Sequence, residues 1–195
     1  IEVFKKLSRK SSEFHSEKDI AHYLLKRTIE EDCTPAFPPI IASGKNASLP
    51  HHEPSNNLLK GFLVIDYGVK KKGYCADLTR TVYLGTPSKK ERKVYETVLH
   101  AQQRAIDTVK EGTTLKDVDA VARKELGTLS KLFIHSIGHS LGIEVHDDLP
   151  KRKKRMKTVL KEGMVITIEP GVYIKNKYGI RIEDDVLVTK KGCEN

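Results

Sequence analysis

Met164–Val188 reads MVITIEPGVYIKNKYGIRIEDDVLV, and the rest of the chain is organised around it. Two strand-like apolar runs, Met164–Ile168 and Gly179–Val188, are joined through Pro170, Gly171 and a short polar turn. Each run carries an acid where a buried strand calls for an aliphatic residue: Glu169 in the first, Glu183 in the second. A carboxylate among Ile, Val and Leu is costly to bury unless a positive group sits against it. That group is either an arginine, with Arg181 two residues from Glu183 on the same strand face, or a metal ion. The acids and histidines upstream bear on the choice.

The same pattern occurs earlier. Phe62–Tyr67 (FLVIDY) is a buried strand ending in Asp66 and Gly68, and a basic turn, Lys70–Lys72, leads into Tyr74–Leu84, which carries Asp77 among alternating polar and apolar residues. This is a hairpin with one acid on each arm. The pairs Asp66/Asp77 and Glu169/Glu183 suggest two structurally related halves. Between them, Phe133–Gly138 reads as a further strand, followed by GHSLGIEVHD with His139 and His146.

Three capping boxes open helices. Ser16-x-x-Asp19 starts one running to about Glu31, with Ile20, Leu24, Leu25 and Ile29 on one side; the prolines at 35, 38 and 39 stop it. Ile40–Ala42 is then a short strand, and Ser43–Asn57 a turn-rich loop containing LPHHEP. Ser88-x-x-Glu91 starts a long helix to about Lys110, ended by Gly112, with Val94, Val98, Ala101, Ala105 and Val109 as its apolar stripe. Thr114-x-x-Asp117 starts another to about Leu126. The class is therefore α+β with mainly antiparallel pairing, because hairpins outnumber crossovers.

The 195 residues suit one domain, with a basic lead-in over residues 1–15 and the folded unit over 16–195. Hydrophobic residues make up 38% and charged residues 31%, a soluble globular balance. Three scattered cysteines, Cys33, Cys75 and Cys193, fit neither a zinc ribbon nor a disulfide framework, so a reducing cytoplasmic compartment is expected. No apolar run reaches membrane-spanning length, and no secretory signal is expected. The net charge of +9 includes the run KRKKRMK, Lys151–Lys157, which is either a solvated loop or a contact for an acidic partner. A nucleic-acid role is disfavoured, since aromatic residues do not interleave the basic ones.

Five residues stand out as metal ligands: Asp66, Asp77, His139, Glu169 and Glu183. Taken singly, each acid has an ordinary salt bridge as its plain explanation. Together, four carboxylates in apolar settings would repel and bind protons without cations. Two divalent ions balance them, and this hard, oxygen-rich set suits Mn2+, Co2+ or Fe2+, with Zn2+ also compatible. Such a pair holds a hydroxide at neutral pH and polarises a carbonyl. HExxH, CxxC pairs and a phosphate-binding glycine loop are all missing from the sequence.

In these motifs (IDYG…ADLTRT, HSIGHSLGIEVHD, MVITIEPGVY and GIRIEDDVLV) the chain resembles the pita-bread metallopeptidases: Xaa-Pro dipeptidase (prolidase), aminopeptidase P and methionine aminopeptidase. The resemblance runs from about residue 16 to the end. It implies a curved, mainly antiparallel sheet with helices on its outer face. It also implies that Asp66 and Asp77 are aspartate ligands, with Asp77 bridging two ions, that His139 and Glu169 hold one ion, and that Glu183 bridges both. Glu169 would also take the proton of the attacking water, a metal-bridging hydroxide being the nucleophile. His51, His135 and His146 match substrate-contacting positions, with the choice between His51 and His52 in LPHH left open, and Arg181 matches an arginine that orients carboxylates. The short Glu169–Glu183 spacing favours the proline-specific branch over methionine aminopeptidase. The implied substrate is a short peptide with proline second, cleaved by a dipeptidase or, as the alternative, by an aminopeptidase, with a homodimer as the assembly. A non-catalytic relative that binds peptides, histones or RNA is the reading from a different class. The family's amino-terminal domain is not matched by residues 1–15, and the chain opens on Ile1.

Overall fold

A computed structural model describes residues 13–147 and 156–195. The elements are α1 (Glu17–Glu30), β1 (Thr34–Pro35), β2 (Ile40–Ser43), β3 (Gly61–Asp66), β4 (Val69–Lys71), β5 (Tyr74–Cys75), β6 (Thr79–Leu84), α2 (Lys89–Ile106), α3 (Leu115–Leu126), β7 (Val165–Ile168), β8 (Gly171–Ile174), β9 (Tyr178–Arg181), β10 (Asp184–Val188) and β11 (Cys193–Glu194). Short 3-10 helices occupy Gly44–Ser48 and Gly127–Leu132. The described strands pair antiparallel, in the orders β2-β3-β6, β1-β4-β5, β11-β10-β7 and β8-β9.

All three helix starts match the sequence. Ser16, Ser88 and Thr114 accept from the backbone N–H three residues on, and Asp19, Glu91 and Asp117 reach back to the cap N–H. Each such cap stabilises its helix by about 1 kcal/mol. α2 ends earlier than expected. Thr108 and Val109 already donate to carbonyls three residues back, and the helix tightens out at Ile106, although the stripe stays buried through Val109. On α1, Ile29 is 72% exposed and does not join Ile20 and Leu24 in the core. Thr28 takes the inward place, its hydroxyl meeting the Leu24 carbonyl and the Tyr67 hydroxyl.

The larger core lies where Val98, Ala101, Ala105, Leu115, Val118 and Ala122 of the α2–α3 pair meet Phe62, Ile166, Ile168, Val172, Ile180 and Val186 of the sheets. Burying each aliphatic side chain of this kind contributes roughly 1.5–3 kcal/mol. A second core packs α1 on Ile41, Leu63 and Ile65. Ahead of α1, Phe14 stacks edge-on against Tyr23 with ring centroids 5.3 Å apart. Residues 1–12 of the lead-in, and residues 151–155 of the basic run, lie outside the described residues.

Three strand expectations are corrected. The two acid-bearing runs of Met164–Val188 are four strands: β7 pairs with β10 and β8 with β9, and the chain changes sheet at Glu169–Pro170 and at Ile182–Glu183. Glu169 and Glu183 therefore sit in breaks, their N–H groups donating to the Ile137 and Thr79 carbonyls. Asp77 likewise lies between β5 and β6, because β4 and β5 form a small hairpin inserted into the β3–β6 pair. Phe133–Gly138 is not a strand: the segment runs beside β7, joined to it by irregular bonds such as Thr167 N–H to the His139 carbonyl. With these corrections the two halves share one order. A strand ends at an acid (Asp66, Glu169), a small hairpin follows, and a second acid (Asp77, Glu183) precedes the returning strand.

Candidate metal centre

Strand ends bring the acids together. Asp66 closes β3 opposite Thr79 of β6, and Glu169 and Glu183 flank the Ile168–Asp184 pair that ends the β7–β10 ladder. His139 is supplied by the irregular segment alongside β7, which approaches so closely that a Cβ on Gly138 would stand 1.8 Å from the Thr167 carbonyl oxygen. Only glycine allows this approach. It is held by Thr167 N–H donating to the His139 carbonyl at 2.8 Å and by His139 N–H donating to Thr167 Oγ1 at 3.1 Å.

Asp77, His139 and Glu183, all buried, offer ligand atoms within 4.8 Å of one another. His139 Nδ1 donates to the Ser140 carbonyl at 3.1 Å, which turns Nε2 toward Asp77 Oδ2 and Glu169 Oε1, each 3.7 Å away. Asp66 Oδ2 accepts from Arg181 Nη2, while Asp66 Oδ1 and Asp77 Oδ1 are buried with no hydrogen-bond partner among the described residues. Glu183 Oε2 accepts from the Thr79 hydroxyl at 2.5 Å.

The electrostatics follow from this crowding. Burial, then the charges of Asp66, Glu169 and Asp185, push the Asp77 carboxyl up to about 9. Burial, then Glu169, Asp77 and Asp66, hold Glu183 well above the usual carboxylate range. Acids this unfavourably placed are neutralised by protons or by cations. A hard set of carboxylates and one imidazole, with orphaned oxygens on two of the aspartates, fits divalent cations.

Arg181, 4% exposed, ties the site to its surroundings. Beyond Asp66 it donates from Nη1 to the Tyr173 hydroxyl at 2.8 Å and the Pro50 carbonyl at 3.2 Å, and from Nε to Thr79 Oγ1 at 3.2 Å. The expected link between Arg181 and Glu183 is thus indirect, through Thr79, and its direct carboxylate partner is Asp66. Tyr173 stands between Arg181 and His135, its hydroxyl 2.8 Å from His135 Nε2. His135 Nδ1 faces the Ser136 carbonyl at 2.9 Å and Glu169 Oε2 at 3.7 Å. Burial, then the Arg181 charge, bring the His135 pKa down to about 3, so its ring is neutral at ordinary pH.

His51 and His146 are exposed at the rim. The His146 ring meets that of His139 edge-on with centroids 4.2 Å apart, and His51 is near enough to add to the repulsion felt by His135. His52 points elsewhere, its Nε2 lying 2.8 Å from Glu17 Oε2, which separates the two neighbours of LPHH. Asp185 also went unanticipated. It accepts the Asp77 N–H at 3.0 Å and is itself pushed up to about 6, chiefly by burial. Thr79 and Asp185 sit inside quoted motifs, but a strand threonine and a second acid after Glu183 carry no signal of their own.

Comparison with known proteins adds the family context. The model of metallopeptidase family M24 matches residues 2–190. The chain is 45% identical over 186 residues to an Xaa-Pro dipeptidase of Pyrococcus furiosus, covering 91% of this chain and 52% of that protein. It is 42% identical over 190 residues to the Xaa-Pro dipeptidase of Pyrococcus horikoshii, covering 94% and 53%. It spans about half the length of the curated relatives it matches. Among solved structures, the prolidase from Pyrococcus furiosus superposes with a TM-score of 0.90 at 40% identity, over 99% of this chain and 60% of that one. An X-Pro aminopeptidase from Thermotoga maritima gives 0.90 at 38% identity, over 100% and 57%. The architecture is the expected pita-bread fold.

Proposed function

The chain belongs to metallopeptidase family M24, and on that premise we propose that it hydrolyses Xaa-Pro bonds in short peptides with two divalent ions, Mn2+ or Co2+. The observation that carries this reading is the buried Asp77–His139–Glu183 cluster, with orphaned oxygens on Asp66 and Asp77.

Asp66, Asp77, His139, Glu169 and Glu183 would hold the ions, which when bound supply Lewis acidity toward the scissile carbonyl and an acidified water. Glu169, half-buried at the edge of the cluster, takes the proton of the attacking water. As the C–N bond breaks, it passes that proton to the proline nitrogen, an imide nitrogen that has no hydrogen of its own. Arg181 fixes the Asp66 carboxylate and, through Thr79, that of Glu183. His51 and His146, exposed at the rim, donate to the substrate carbonyl and steady the oxyanion. His135, with Tyr173 on one ring nitrogen and the Ser136 carbonyl by the other, supports the wall of the site rather than donating to substrate.

No helix among the described residues is long and apolar enough to cross a membrane, and the free cysteines suit a reducing cytoplasm. A homodimer is the proposed assembly. The likeness to an X-Pro aminopeptidase keeps a second reading, in which the substrate extends beyond proline. The test is hydrolysis of an Xaa-Pro dipeptide beside an Xaa-Pro-Yaa tripeptide, with Mn2+ or Co2+ and with chelator. Metal-dependent cleavage of the dipeptide alone supports the first reading, and preference for the tripeptide supports the second. Cleavage of neither by metal-loaded protein refutes both.

A further inference from the structure

Glu17, the first residue of α1, is 0% exposed. An acid in a first helical turn normally faces solvent and needs only the helix dipole to explain it. Glu17 is instead enclosed by the 43–55 segment. Its Oε1 accepts from the Ser43 N–H at 2.7 Å and Asn46 Nδ2 at 3.0 Å. Its Oε2 accepts from the Ser55 N–H at 2.9 Å, the Ser55 hydroxyl at 2.6 Å and His52 Nε2 at 2.8 Å. Burial raises its pKa, but the bonds from Ser55, Asn46, His52 and Ser43 outweigh this, and the carboxyl lies below its usual range.

The donors come from both ends of the segment, Ser43 and Asn46 at one and His52 and Ser55 at the other. A further anchor comes from the other side, where the Pro50 carbonyl accepts from Arg181 Nη1 at 3.2 Å. The 3-10 turn beneath is pressed against β9, since a Cβ on Gly179 would lie 1.9 Å from the Ala47 carbonyl oxygen. His51 therefore sits between two fixed neighbours: Pro50, held by the arginine that grips Asp66, and His52, held by Glu17.

We propose that Glu17 is a positioning residue for His51, which acts by clamping the 43–55 segment so that the imidazole is presented at the rim of the metal centre. A buried carboxylate surrounded by donors is suited to this, because glutamine would turn an NH2 toward N–H and O–H groups and lose part of the clamp. The inference rests on the proposed role of His51 in substrate contact.

The test is a double-mutant cycle on the full Mn2+-loaded chain: wild type, Glu17→Gln, His51→Ala and the pair, with Xaa-Pro dipeptide hydrolysis and bound metal measured for each. The expected result is a kcat loss of about tenfold or more for Glu17→Gln that shrinks to less than about twofold in the His51→Ala background, because interacting residues are non-additive. Metal content should stay at the wild-type level. Equal losses in both backgrounds, or lost metal, would overturn the positioning role. Because Glu17→Gln can compromise folding, His52→Ala provides a milder release that keeps the other donors to Glu17. Amide exchange from His51 to Glu53 should accelerate in it while the core is unchanged, and unchanged exchange at these positions would also overturn the inference. Wild-type protein that cleaves neither substrate would sink the proposed activity, yet this exchange comparison would still decide whether the clamp exists.

Discussion

Arg181→Met is the most informative perturbation of the fold around the site. The guanidinium is buried and bonds to Asp66, Tyr173, Pro50 and Thr79. Removing one partner of a buried ion pair costs about 3–5 kcal/mol, because the other charge is left stranded. The three bonds to neutral partners would add roughly 0.5–1.5 kcal/mol each if independent. They share one side chain and are not additive, so a total of about 4–6 kcal/mol is expected. Arg181→Lys keeps the charge but not the planar fork, and should cost about 2–4 kcal/mol through the bonds that an ammonium cannot reach. Urea unfolding followed by circular dichroism, in chelator and with the m-value held in common, measures both. A loss below about 1 kcal/mol for Arg181→Met would refute the view that Arg181 is the hub joining Asp66, Tyr173 and the 50–52 turn.

Other sites give independent checks. Gly138→Ala must separate the His139 segment from β7, so a loss of about 2–4 kcal/mol in thermal or urea unfolding is expected, with weaker metal binding in a titration. Glu169→Gln should abolish Xaa-Pro hydrolysis while bound metal is largely kept; retained turnover would exclude Glu169 as the proton carrier. Glu17 has a folded pKa below its ordinary 4.5, so its contribution to stability is present above pH 4.5 and is lost as pH falls through the lower folded value. The stability gap between wild type and Glu17→Gln should therefore narrow on acidification below pH 4.5, as read from urea midpoints, and a constant gap would contradict the assignment.

Local chemistry was the legible part of this fold. Each capping box starts its helix at the expected residue, and the α2 stripe is buried at every position, because caps and 3.6-residue periodicity are properties of neighbours in sequence. The five acid and imidazole positions were visible because charge in apolar surroundings is costly wherever it falls. What failed depended on partners distant in sequence. Apolar runs do not reveal which sheet they join, so Met164–Val188 reads as two strands when it is four, and the acids fall at the switch points rather than inside. Phe133–Gly138 has a strand's composition, yet it meets the β7 side only irregularly, the Ile137 carbonyl accepting from the Glu169 N–H while the Phe133 N–H turns back to the Ser130 carbonyl. Ile29 fits the helical stripe, but α1 meets the sheet through Thr28 and its bond to Tyr67. Nothing in the sequence sets Glu17 apart from an ordinary first-turn acid, and only the folding of the 43–55 segment over it makes it a buried carboxylate.

The central claim is that the buried acids form a cation site. Elemental analysis of protein dialysed against Mn2+ or Co2+, beside isothermal titration of the metal-free chain and its Asp77→Asn variant, tests it directly. The account predicts up to two divalent ions per chain, proton release on binding as the raised carboxyls ionise, and a marked loss of affinity in Asp77→Asn. A wild-type chain that is folded and binds no divalent ion would contradict it.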